Sequence, residues 1–165
     1  MKRKGKIGLL VAILVVIVAV TGSWFYIDSL AYKVCRVEAG IMVTPSDFLK
    51  TPDEAAIFTP KSQPFQITEP GEYAIQVKSG WFTHKCTLII EDTQAPQGKP
   101  KDVMLSLGES ATAQDFVTEV QDNTEVKITF AQAPDFTKPG KQAVKVLLTD
   151  KGSNALMLQA QLEIS

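Results

Sequence analysis

Few of the 165 residues carry side chains suited to chemistry. There are two cysteines, Cys35 and Cys86, and one histidine, His84. A cysteine nucleophile needs a base within reach and usually an Asp or Asn to orient that base. His84 and Cys86 stand two residues apart, so in an extended strand they share a face. Phe82, Leu88 and Ile90 fall on the same face, which is a core register rather than a nucleophile's pocket. As metal ligands, His84 and Cys86 lack the remaining donors of a tetrahedral site. The expectation is that no residue is catalytic, that no metal is ligated and that no cofactor is held.

Two other sets of residues carry possible binding chemistry. Asp92, Asp122, Asn123, Asp150 and Asn154 would suit calcium if six or more oxygens converged on one point. The simpler role for Asp and Asn in such turns is to accept hydrogen bonds from backbone amides two residues on, and that reading is preferred. Trp81 and Phe82 follow a Ser-Gly turn. Period-2 alternation sends them to opposite faces, and Phe82 shares the core face. Trp81 is therefore the expected exposed contact residue, placed to stack on a sugar or dock a partner.

These residues must be positioned by something, and the charge pattern separates two parts of the chain. The formal net charge is −1, from 17 basic and 18 acidic residues. Lys2, Arg3, Lys4 and Lys6 precede a long apolar run, and no acid occurs before Asp28. Setting those four cations aside leaves 13 basic residues against 18 acidic ones, a net of −5. An acidic remainder without a Lys/Arg cluster argues against nucleic acid as a partner.

The run Ile7–Ile27 holds no charge over 21 residues. As a helix it would span about 30 Å, the thickness of a bilayer's hydrocarbon core. Trp24, Phe25 and Tyr26 sit at its outer end, where aromatic rings favour the headgroup layer. The basic flank sets the N-terminus in the cytoplasm and the remainder outside. A cleaved secretory signal is the alternative, but its apolar core would be shorter and would end at a small-x-small site, for which Ala19-Val20-Thr21 is a poor match. A lipoprotein is rejected, because Tyr32, Lys33 and Val34 before Cys35 are not small. The expectation is a single-pass signal-anchor in the cell membrane with an extracellular C-terminal region.

Beyond the run, short β-like segments alternate with turns. Strands are expected at Tyr73–Lys78, Trp81–Ile90, Val103–Leu107, Val126–Phe130, Ala143–Thr149 and Ala155–Ile164, several with strict alternation. The chain also repeats itself. Val37–Leu49 aligns with Leu105–Val117, matching Gly40 to Gly108 and Asp47-Phe48 to Asp115-Phe116. Ile67–Ala74 aligns with Phe136–Ala143 at nearly the same offset, which reads as two copies of one module. The expected organisation is a basic flank at 1–6, a transmembrane helix at 7–27 and a juxtamembrane linker at 28–33. A first, divergent module follows at 34–92 and a second at 93–165.

The joint Asp92-Thr-Gln-Ala-Pro96 resembles the linkers of bacterial Ig-like surface repeats. So do Val120-Gln-Asp-Asn123, Lys138-Pro-Gly140 and Thr149-Asp-Lys-Gly-Ser-Asn154. The first module departs, with Lys78-Ser-Gly-Trp81 in place of the Asp-x-x-Gly-Asn turn. The resemblance implies an all-β fold: two Ig-like β-sandwich modules in tandem behind one N-terminal transmembrane α-helix. First and last strands of Ig-like modules generally lie side by side, so it further implies a disulfide between Cys35 and Cys86. Closing that loop would be worth about 3–4 kcal/mol. The function implied is a non-catalytic stalk or interaction protein of the cell envelope, with a cell-wall polymer or surface protein as partner. The alternative is the anchor and stalk of a transglutaminase-like (Cys-His-Asp) surface enzyme whose catalytic domain is absent from this chain.

Overall fold

The computed structural model describes residues 2–165, with side chains described from Ile13 onward, Trp24 and Asp28 apart. Helix α1 covers Lys2–Asp28. Its side chains from Ile13 to Ser23 are exposed, the apolar ones included. No helix among the described residues is long and apolar enough to cross a membrane. The span expected at 7–27 includes residues 7–12, whose side chains lie outside that description.

After α1 the protein is all-β. Strands β1 (Val34–Glu38), β2 (Ile57–Phe58), β3 (Gly71–Ser79) and β4 (Phe82–Glu91) form one sheet in the order β1-β4-β3-β2. Then come β5 (Gln97–Pro100), β6 (Val103–Leu105), β7 (Val117–Gln121), β8 (Lys127–Gln132), β9 (Gly140–Thr149) and β10 (Ala155–Ile164). Four of them make a second sheet in the order β6-β10-β9-β8, and β5 pairs with β7. One strand order thus occurs twice. A long hairpin stands at the centre, flanked by a short edge strand and by a short strand that joins the last one.

The parallel pairing recurs as well. β6 runs parallel to β10, with Val103 level with Leu162 and Leu105 with Ile164. In the first sheet the Thr87 amide donates to the Lys33 carbonyl at 2.8 Å, and the Ala39 amide to Glu91 at 2.7 Å. Both strands advance in the same sense between those bonds, which is parallel pairing. The antiparallel bridge between Ala31 and Leu49 matches, at the repeat offset, the pairing of Pro100 with Val117 in β5–β7.

The chain divides into two compact units, Met1–Cys35 with Val43–Pro64 and Glu72–Ile89, and Arg36–Met42 with Phe65–Gly71 and Ile90–Ser165. These are not the contiguous stretches 34–92 and 93–165. The Gly40 amide donates to Ile67 at 2.9 Å, and a Cβ on Gly40 would lie 3.0 Å from Asn123, so both loops belong to the second unit. The core there alternates along two strands: Val144, Val146 and Leu148 on β9, and Ala160, Leu162 and Ile164 on β10. In the first unit Ile75 and Val77 on β3 and Cys86 and Leu88 on β4 do the same.

Each copy closes its core with a short 3₁₀ turn, Pro45–Phe48 and Ala113–Phe116. The sequence before each phenylalanine is Thr-x-x-Asp, and the acid caps the turn. Asp47 Oδ2 accepts the Thr44 amide at 2.6 Å and its hydroxyl at 3.0 Å. Asp115 Oδ2 accepts the Thr112 amide at 2.7 Å and its hydroxyl at 2.8 Å. The Thr112 hydroxyl and then its amide hold the Asp115 carboxyl below its ordinary value, and Thr137 does the same for Asp135. A carboxyl whose pKa is lowered by folding contributes stability that is complete above its unfolded value, about 3.9 for Asp. That contribution is lost as pH falls through the folded value. Thermal melts from neutral to acid pH are expected to show a decline beginning near pH ~4–5, weaker in a variant with both Asp115→Asn and Asp135→Asn. An unchanged acid limb in that variant would contradict the assignment.

Candidate functional site

Cys35 and Cys86 are both free thiols, which corrects the disulfide expected from the sequence. The reason is the strand register. The bonds from Thr87 to Lys33 and from Ala39 to Glu91 place Cys35 level with Leu88, so Cys86 is its diagonal neighbour rather than its facing partner. Burial pushes both thiols above the ordinary value. Asp47 adds to the rise at Cys35; at Cys86 Lys33 opposes it and Cys35 adds to it. A raised pKa disfavours the thiolate, the form that acts as nucleophile and metal ligand.

His84 is buried, 6% exposed, on the inward face of β4 that alternation assigned to it. It lines a cleft of about 220 Å³ with Asp53, Ser79 and Phe82. A serine, an acid and a histidine therefore share one cleft. In a triad the histidine stands between the other two. Here the Ser79 hydroxyl donates directly to Asp53 Oδ2, bypassing His84. The Asp53 carboxylate also accepts the Ala55 amide at 2.9 Å. The cleft holds a turn together and lacks the connectivity of a nucleophile.

Four of the five candidate acid and amide residues converge, three of them through their carboxylates. Carboxylate oxygens of Asp92, Asp122 and Asp150 lie within 4.8 Å of one another. Thr124 Oγ1 is 2.7 Å from Asp92 Oδ2 and 2.9 Å from Asp122 Oδ1, so its single proton serves one of them. Asp122 Oδ1 also accepts the Thr124 amide at 2.7 Å, and Asp150 Oδ1 the Asn154 amide at 2.8 Å. The Asn154 side-chain amide reaches Asp150 Oδ2 at 3.0 Å and the Asp92 carbonyl at 2.9 Å. Asn123 is elsewhere, against Gly40. The partners named here are turn amides and a hydroxyl, which is the capping role.

No family model matches the chain, and no curated protein matches it. Among solved structures it is similar to a Rib domain from Streptococcus pyogenes at 11% identity, covering 42% of this chain and 91% of that one, with a TM-score of 0.38. The fibronectin(III)-like modules of Clostridium thermocellum CbhA align at 14% identity over 81% and 90%, TM-score 0.33. Human mucin-like protocadherin EC1-2 aligns at 11% over 81% and 96%, TM-score 0.30. At these scores and identities none of them assigns a family or a function.

The feature that stands out on the surface is the β3–β4 tip. Gly80 takes φ +55°, turning the chain so that Trp81 projects with 96% of its surface exposed. Phe82 begins β4 and is 45% exposed, although alternation assigned it to the core face. Its position at the strand's open end explains this, since no strand continues beyond it. Trp81 and Phe82 face Ala19, Val20, Ser23 and Ile27 of α1 across an open groove of about 520 Å³. The exposure of Trp81 is as expected from the sequence; the groove is not, because nothing local to residues 19–27 announces a neighbour more than fifty positions away.

Proposed function

We propose that this chain is a membrane-tethered, extracellular protein built from two copies of an Ig-like β-module, working as a stalk or interaction device without catalysis. The observation that carries the reading is the contrast between α1 and the β-units. The units bury their apolar residues in period-2 rows, whereas α1 leaves Leu14, Val15, Val16, Val18 and Val20 at about 60% exposure. Exposed aliphatic side chains on that scale are stable where the surroundings are as apolar as they are. The basic flank before the helix gives the orientation. Repetition of one strand order, with the same Thr-x-x-Asp turn in each copy, is the pattern of modules used for reach and docking.

The test is topology in cells. The full chain with a C-terminal epitope is expected in the membrane fraction after alkaline carbonate washing, with the epitope digested by protease added outside intact cells. Recovery in the carbonate supernatant, or an epitope protected until lysis, would overturn the reading.

A further inference from the structure

We infer that the β3–β4 tip is a second membrane contact, seated in the headgroup layer of the outer leaflet beside α1. This rests on the membrane-tether reading above. An exposed tryptophan at a hairpin tip is costly in water and favoured at a bilayer interface, where the ring is half-solvated and its N–H is satisfied. The structure sets this ring at a particular height. Trp81 and Phe82 line an open groove with Ala19, Val20, Ser23 and Ile27 of α1, and Phe25 and Tyr26 on the same stretch of helix are 82% and 68% exposed. If those helix residues lie at the headgroup layer, the tip lies there too. Two aromatics from the helix and two from the hairpin then lie at one level, and the groove between the hairpin tip and α1 opens to lipid chains.

Charge favours the same occupant. There is no Asp or Glu between Glu72 and Glu91, while Lys78 and Lys85 flank the tip and both are exposed. The nearby acid, Asp53, accepts the Ser79 hydroxyl and the Ala55 amide. A tip with two exposed cations suits an anionic headgroup layer. Continuity with the apolar surface of α1 selects lipid over a protein partner.

The two tryptophans make the test direct. Full-length Trp24→Phe keeps Trp81 as the sole tryptophan, and Trp81→Phe keeps Trp24. Each is reconstituted into vesicles of phosphatidylcholine with phosphatidylglycerol, with and without brominated acyl chains. The expected result is a blue-shifted Trp81 emission, quenched by bromolipid and shielded from aqueous iodide. Lys78→Glu with Lys85→Glu should reduce that quenching. Trp24 quenched while Trp81 stays open to iodide would overturn the tip contact and leave the tether intact. Neither tryptophan quenched would overturn both. Trp81 shielded from iodide yet untouched by bromolipid would assign the tip to a protein contact and overturn the proposal.

Discussion

Phe116→Ala is expected to destabilise the C-terminal unit by about 3–5 kcal/mol. The side chain is fully buried under β9 and β10, and it begins an aromatic chain. Its ring stands 5.6 Å from Phe130 at 70°, and Phe130 stands 6.4 Å from Phe136 at 64°. Edge-to-face pairs add about 0.5–1.5 kcal/mol beyond area burial. The surroundings cannot collapse into the void, because Phe116 is held by a four-residue turn whose ends are fixed. Thr112 and Asp115 cap one end, and the Phe116 carbonyl accepts the Lys101 amide at 2.8 Å at the other. A unit of about 90 residues has a total stability of about 5–13 kcal/mol, so the substitution takes a large share of it. Phe48→Ala is expected to do the same in the first unit, where Phe48 is equally buried and meets Phe58 at 5.8 Å. Urea titration followed by circular dichroism gives the measurement. A loss under about 1 kcal/mol at either position, the scale of a surface change, would show that the phenylalanine is not the keystone of its core.

Those two phenylalanines also mark how far the sequence could be read. The blocks containing Asp47-Phe48 and Asp115-Phe116 align by eye, and the structure gives both the same capped turn. Long strands were legible because period 2 needs several residues to declare itself: β3, β4, β9 and β10 each run nine or ten residues. Strands β1, β2, β5 and β7 were not, being two to five residues long, whereas the three-residue β6 was expected within the longer alternating run Val103–Leu107. β5 reads Gln-Gly-Lys-Pro, whose propensities argue against any strand; it exists because Gly98 lets its backbone approach Leu148 and Val117. The exposure of Trp81 was legible because the Ser-Gly turn before it is a local signal: Gly80 takes φ +55° and puts Trp81 at the tip between β3 and β4. The state of the cysteines was not, since a bridge depends on the register between β1 and β4, and no residue in either strand encodes that offset locally. Convergence of Asp92, Asp122 and Asp150 was equally hidden, as each reads alone as a turn residue.

Gly152→Ala is expected to cost about 2–4 kcal/mol, the upper range for overpacking plus a lost hydrogen bond. A Cβ there would sit 2.3 Å from the Asp92 carbonyl oxygen and 2.8 Å from the Asp92 Cβ. Backbone cannot swing aside as a flexible side chain would. Moving it would break the 2.9 Å bond from the Asn154 side-chain amide to that same carbonyl. The turn has no slack on its own side either: Ser153 already takes φ +68°, and the Asp150 amide donates to the Asn154 carbonyl at 3.2 Å. Gly108→Ala provides the contrast. Gly108 has φ +92° but nothing within 4 Å of its would-be Cβ, so it should show only the left-handed backbone penalty, about 1–2 kcal/mol. Gly152 is not among the positive-φ glycines, so its loss reports the close approach of the β9–β10 turn to Asp92, and Gly108 reports a backbone penalty without a close approach. A loss at Gly152 under about 1 kcal/mol, the scale of a surface change, would mean that the turn can shift away from Asp92 and that glycine is not required in the Asp-Lys-Gly-Ser-Asn turn. A larger loss at Gly152 would mean that the turn is a clasp on the strand entering the unit, and that the three carboxylates are gathered by it rather than gathering it.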